Sequence, residues 1–234
     1  MFDRIRKALA RTAPSAAARA ARARASEAAD APVSEWASTH GMSFAADGAG
    51  GARLEGEVLG RRWRLERGKP TRDYVVGEEL RARADLALPE DVAAMVMNRS
   101  LKEALESKAF EQSTDQVRTG IDGSLPQEVR WLAMFDEFAW EGPPAAFWDR
   151  YAVVAERRET ALAWVNAALA RQLLDWPAPG PSSQVPFTLL LLRGRAYLRM
   201  EYRPANLPTL QHAALVFTSA CESALRTPVD VALE

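Results

Sequence analysis

Glu79-Leu80-Arg81-Ala82-Arg83-Ala84-Asp85-Leu86 alternates a charged residue with an apolar one at every step. A period of two places Leu80, Ala82, Ala84 and Leu86 on one side of an extended strand and the charged residues on the other. One packed face and one wet face mark an antiparallel sheet, and the strand is expected over 74–86. Just upstream, 54–58 and 62–67 read as a hairpin turning at Gly60, which sets Glu55 and Glu57 near Arg62 and Arg64.

That hairpin has an echo. Val58-Leu59-Gly60-Arg61-Arg62-Trp63 is answered by Leu192-Arg193-Gly194-Arg195-Ala196-Tyr197, a Gly-Arg step inside an apolar run with an aromatic residue two places later. Each copy is followed by Leu-Pro (Leu88-Pro89, Leu207-Pro208) and then by an expected helix. Ala93-Ala94-Met95-Val96-Met97 matches Ala213-Ala214-Leu215-Val216-Phe217, and each copy has a Trp-bearing segment upstream, at Trp36 and Trp164. Two related hairpin-plus-helix units predict one pseudo-symmetric body.

Around these anchors the chain divides as follows. Residues 12–31 hold almost nothing larger than Ala to pack, so 1–31 is expected to be a flexible basic arm. Residues 32–234 form a single α+β domain with halves at roughly 32–118 and 125–226. Helices are expected from Pro89 through Val92 and Leu105, over 126–138, over 145–174 and over 210–225. A second hairpin pairs 188–192 with 196–202, and 111–124 is the loop between the halves. The predicted fold is thus an antiparallel sheet of about five strands with helices packed on one face.

The 234 residues carry a net charge of −1, but the charge is unevenly spread. Residues 1–26 hold seven basic residues against Asp3 alone, leaving an acidic body. Near-neutral overall charge argues against a dedicated nucleic-acid binder. A single Cys221 forms no internal disulfide, and no Cys/His grouping has zinc spacing, so no metal or cofactor is expected and a reducing, cytoplasmic setting fits. Within 1–11, Phe2, Ile5 and Leu9 fall on one side of a short helix and Arg4, Lys7 and Arg11 on the other. That pattern suits the surface of an anionic inner membrane. It equally suits low-complexity Ala/Arg sequence from a GC-rich bacterial genome.

Candidate chemistry is sparse. His212 and Cys221 sit nine residues apart on one expected helix, on opposite sides, so they form no dyad. No phosphate loop, dinucleotide turn or nucleophile elbow appears, and no catalytic residue is assigned. Two binding candidates remain. Trp131, Phe135, Phe138, Trp140, Phe147, Trp148 and Tyr151 crowd one stretch with acids between them, making Trp140 and Trp148 candidate anchors for a protein partner. The ladder Arg193, Arg195 and Arg199 has only Glu201 as a near acid, whereas Arg62, Arg64, Arg81 and Arg83 lie among Glu55, Glu57, Glu66, Glu79 and Asp85. The second ladder is therefore the better anion site. The expected function is non-enzymatic binding of a protein or anionic partner. The alternative is an enzyme or small-molecule binder gripping an anion between the two halves.

Overall fold

The computed structural model describes residues 16–47, 50–115 and 127–226. In chain order they form helix α1 (Ala16–Thr39), strands β1 (Ser43–Ala46), β2 (Ala52–Val58), β3 (Arg61–Gly68), β4 (Glu79–Asp85) and β5 (Ala94–Asn98). Helices α2 (Arg99–Asp115) and α3 (Gln127–Met134), strand β6 (Asp136–Glu137), helix α4 (Ala145–Arg150) and strand β7 (Tyr151–Ala155) follow. The chain continues through α5 (Arg158–Trp164), α6 (Ala167–Leu174), the hairpin β8 (Phe187–Leu192) and β9 (Arg195–Glu201), and α7 (Leu207–Arg226). The strands build a single antiparallel sheet of nine in the order β1-β2-β3-β4-β9-β8-β5-β7-β6.

The α+β class and the antiparallel sheet hold, but nine strands replace about five. Strands β5 and β7 were expected to be helical. Both are wholly buried and pair with each other at the far side of β8. A strand covered on both faces loses the polar alternation that would reveal it, so Ala93–Met97 and Tyr151–Ala155 read equally as buried helix. Residues 145–174 accordingly split into α4, β7, α5 and α6, and 126–138 into α3 and β6.

Helices cover both faces, not one. On the first face Leu54, Trp63, Leu65, Leu80, Val96, Val153, Leu189 and Leu198 pack beneath α1, α5, α6 and α7 in the main core. On the second, Met95, Met97, Val154 and Leu190 pack beneath Leu101 and Leu105 of α2 and Val129 and Trp131 of α3. This second cover reaches β8 and Tyr197 of β9, leaving on β2, β3, β4 and β9 a polar face that is open except where the Thr71-Arg72 loop closes over Glu79.

The two hairpin turns match closely. Leu59 and Gly60 have φ of 47° and 75°, and Arg193 and Gly194 have φ of 48° and 74°. Two successive positive φ values are the signature of a two-residue type I′ turn. Gly194 is needed for a second reason: a Cβ there would lie 2.8 Å from the Leu88 carbonyl oxygen. The resemblance stops at the turns. Ala93–Met97, matched in sequence to helical Ala213–Phe217, supplies strand β5, and the β8–β9 hairpin is inserted between β4 and β5. The structure confirms a repeated turn and does not confirm a duplicated hairpin-plus-helix half.

The boundary expected at residue 31 falls inside α1. Asp30 is buried and pairs with Arg67 Nη2 at 2.8 Å, with the two side chains 7% and 11% exposed. Removing one partner of a buried ion pair strands the other. Asp30→Ala is therefore expected to cost about 3 kcal/mol in urea unfolding. A loss below about 0.5 kcal/mol, typical of surface changes, would show that α1 is not anchored there.

Candidate functional site

Strand register decides what the bare face presents. Pairing of β3 with β4 sets Arg64 opposite Arg83 and Glu66 opposite Arg81. Pairing of β4 with β9 sets Arg81 opposite Arg199, Arg83 opposite Tyr197 and Asp85 opposite Arg195. The two arginine ladders, far apart in sequence, thus form one surface. A cleft of about 480 Å³ opens over it, with seven arginines and two glutamates in its lining. The N-terminus of α3 and the Thr71-Arg72 loop form one wall, and Leu190, Leu192 and Tyr197 form part of the floor.

Three of these arginines are held by acids beneath or beside them. Glu79 has no solvent exposure. It accepts hydrogen bonds from the Thr71 backbone N–H at 2.7 Å and hydroxyl at 3.0 Å, and from Arg199 Nη1 at 2.6 Å. Arg81 Nη1 lies 4.0 Å from the same carboxylate and its Nη2 lies 3.6 Å from Glu66. Buried Glu128 takes Arg72 Nε at 3.1 and 3.3 Å and the Tyr74 hydroxyl at 3.0 Å. Burial opposes the charge on Arg72, but Glu128 outweighs it and raises the guanidinium pKa. Burial, reinforced by Glu128, pushes the Tyr74 hydroxyl far above its ordinary range.

The remaining cations are less satisfied. Arg83 is exposed and makes no ion pair among the described residues; its guanidinium lies 6.0 Å from the Tyr197 ring centroid. Arg193 sits exposed at the β8–β9 turn, also without an ion pair among the described residues. Arg64 is 3.5 Å from Glu66 and nearly half exposed. Arg195 bonds Asp85 at 3.3 Å, and that bond, with the Ala87 N–H, holds the Asp85 carboxyl below its ordinary range.

Of the ladder expected to bind anions, Arg193 and Arg195 line the cleft and remain accessible. Arg199 lines it too, but its guanidinium is engaged by Glu79 and approached by Glu128. Arg64 and Arg83, assigned to internal ion pairing from sequence, emerge as the stronger candidates. Their signal lay in register. Glu66 faces Arg81, and Arg64 stands between Glu55 of β2 and Arg83 of β4, so Arg83 is left with Arg64 and Tyr197 as its cross-strand neighbours.

The aromatic stretch divides between the two faces. Trp131 and Phe135 pack edge to face, centroids 5.1 Å apart, in the second core. Phe147 is fully buried in the main core, where Trp140 and Trp148 pack against it half-buried, their centroids 5.0 Å apart. The Trp148 carbonyl also accepts from Arg99. Trp140, Trp148, Phe147 and Tyr151 thus form one aromatic cluster on the first face, apart from Trp131 and Phe135. Phe2, Ile5, Leu9, Arg4, Lys7 and Arg11 lie outside the described residues. Among the described residues no helix is long and apolar enough to cross a membrane.

The histidines and the cysteine have structural settings. Cys221 is buried in the main core, and burial pushes its thiol up to about 12. His40 Nδ1 lies 2.9 Å from the Trp36 carbonyl oxygen at the end of α1. His212 packs on Trp176 and donates from Nε2 to the Gln172 carbonyl at 2.7 Å. Burial lowers the His212 pKa below 6.5. Below that pH the unfolded chain takes up the proton more readily than the folded one, so the His212 contribution is full above pH 6.5 and declines as pH falls. His212→Gln should therefore shrink the drop in urea midpoint between about pH 7.5 and about pH 5.5. An unchanged drop would remove His212 as its source.

No protein-family model, no curated protein and no solved structure matches this chain.

Proposed function

We propose that this protein is a binding module that holds an anionic ligand of metabolite size in the arginine-lined cleft. The observation that carries the reading is Arg64 directly opposite Arg83 on neighbouring strands. Like charges in that position destabilise a sheet, and an anion laid across them relieves the repulsion. Arg81 opposite Arg199 is the contrasting case. There the same conflict is met internally by fully buried Glu79, whereas the exposed Arg64–Arg83 pair has only Glu66, 3.5 Å from Arg64 and shared with Arg81. A volume near 480 Å³ matches small-ligand sites, which commonly run about 300–1,000 Å³. Guanidinium groups keep their proton near neutral pH and present paired donors to phosphate or carboxylate, which is recognition rather than proton transfer.

Calorimetric titration with pyrophosphate at low salt tests the reading. The intact protein is expected to bind, more weakly as salt rises. Arg83→Ala, and separately Arg64→Ala, should weaken binding at least about 10-fold, the scale of a lost hydrogen bond to a charged group. Both side chains are accessible, so the melting temperature should stay unchanged. Absence of binding, or equal binding by both variants, would overturn the proposal.

A further inference from the structure

We infer that the ligand is an amphiphilic anion, its head against Arg64 and Arg83 and its apolar body across Tyr197, Leu190 and Leu192. This rests on the anion-binding reading of the cleft and specifies its ligand class. Pairings from β3 through β8 place Arg64, Arg83, Tyr197 and Leu190 in one row across the sheet. Beyond Glu55 of β2, which lies 3.6 Å from Arg53, the row therefore runs cation, cation, aromatic, aliphatic. Strands lie about 4.8 Å apart, so the step from Arg83 to Leu190 covers roughly 10 Å. That is the length of a small two-ring or medium alkyl body.

The apolar end is a real surface of the cleft. Leu192 and Tyr197 are half-buried and line the cavity, and Leu190, 8% exposed, meets it at the edge of the second core. Tyr197 faces Arg83 across β4–β9, and the Arg83 guanidinium lies 6.0 Å from its ring centroid. The ring is thus fixed between the charged and apolar parts. A long polyanion would need cations along a continuous track, yet in this row they end at β4 and the next two positions are Tyr197 and Leu190. Glu128, on the wall, is 3% exposed and its carboxylate is taken up by Arg72, so it offers little repulsion to an incoming head.

The test compares inorganic phosphate, 1-naphthyl phosphate, 1-naphthoate and neutral 1-naphthol by calorimetry on the full chain at low salt. Naphthyl phosphate or naphthoate is expected to bind at least about 10-fold tighter than inorganic phosphate, through burial of the rings. Whichever of the two binds more tightly identifies a phosphate or a carboxylate head. Tyr197→Ala should erase the advantage while leaving phosphate affinity within about two-fold, whereas Arg83→Ala should weaken every anion. Should Tyr197→Ala fail to fold, Leu192→Asn provides the same comparison. Equal affinity for phosphate and both naphthyl anions, all dependent on Arg83, would overturn the amphiphilic ligand and leave the anion site standing. Naphthol binding as tightly as the anions would overturn the role of the head. Binding of none of the anions would overturn the anion site itself.

Discussion

Replacing Glu79 by alanine is expected to destabilise the protein by about 3–5 kcal/mol, the range for breaking a buried ion pair from one side. The carboxylate is fully enclosed and receives the Thr71 N–H, the Thr71 hydroxyl and Arg199 Nη1. Without it, the Arg199 side chain, 21% exposed, keeps the neutral Thr71 hydroxyl and, as its counter-charge, Glu128 at 4.0 Å. Glu79 also faces Glu201 across β4–β9, and Glu201 is satisfied separately by the Val76 N–H and Arg203. Glu79→Gln retains the shape and one acceptor and removes one charge from that crowded pair. Its cost should be smaller, about 1–3 kcal/mol. Replacing Glu79 by Leu together with Arg199 by Met should recover much of the loss, because no buried charge is then left alone. Urea unfolding of the variants decides the matter. If Glu79→Ala stays within about 1 kcal/mol of the parent, the carboxylate is not the anchor of this wall.

Glu79 also illustrates how far the sequence could be read. Alternation over 79–86 correctly put Leu80, Ala82 and Ala84 inward and Arg83 and Asp85 outward. It put Glu79 in the wet set as well. Burial of Glu79 comes from the Thr71-Arg72 loop, brought over it by tertiary contacts that no period of two can report. Both hairpins were legible because Gly60 and Gly194 punctuate apolar runs, and the structure places their turns there. The buried strands β5 and β7 were not, because cover on both faces erases the polar positions that distinguish strand from helix.

The candidate site was half legible. Arg193 and Arg195 were singled out, and both line the cleft. Along the sequence Glu201 is the only acid near Arg199. Strand pairing delivers Glu79 from 120 residues away, and α3 delivers Glu128. The opposite error befell Arg83. Counting acids along β3 and β4 suggests neutrality, but register shares Glu66 between Arg64 and Arg81 and turns Asp85 toward Arg195, which leaves Arg83 without an ion pair among the described residues. Charge composition is a one-dimensional count, whereas compensation is set by which residues face each other.

Trp164→Ala is expected to cost about 3–5 kcal/mol, as for other aromatic truncations in a core. Trp164 is 1% exposed and locks α5 to α7. Its indole N–H donates to the Ala220 carbonyl at 3.1 Å, and its own carbonyl accepts the Ser223 hydroxyl at 2.6 Å. Truncation removes the ring and the donor together and opens a cavity between two helices. Trp140→Ala and Trp148→Ala should each cost less, about 1–2 kcal/mol, because both rings are only half-buried. The contrast carries the functional argument. All three tryptophans belong to the core on the first face of the sheet, whereas the arginine cleft lies on the second. If the cleft is the site, Trp140→Ala and Trp148→Ala should leave pyrophosphate binding unchanged, while Arg83→Ala loses binding and keeps its melting temperature. Loss of anion binding in a folded Trp140→Ala or Trp148→Ala protein would instead return the aromatic pair to candidacy and place the site on the wrong face.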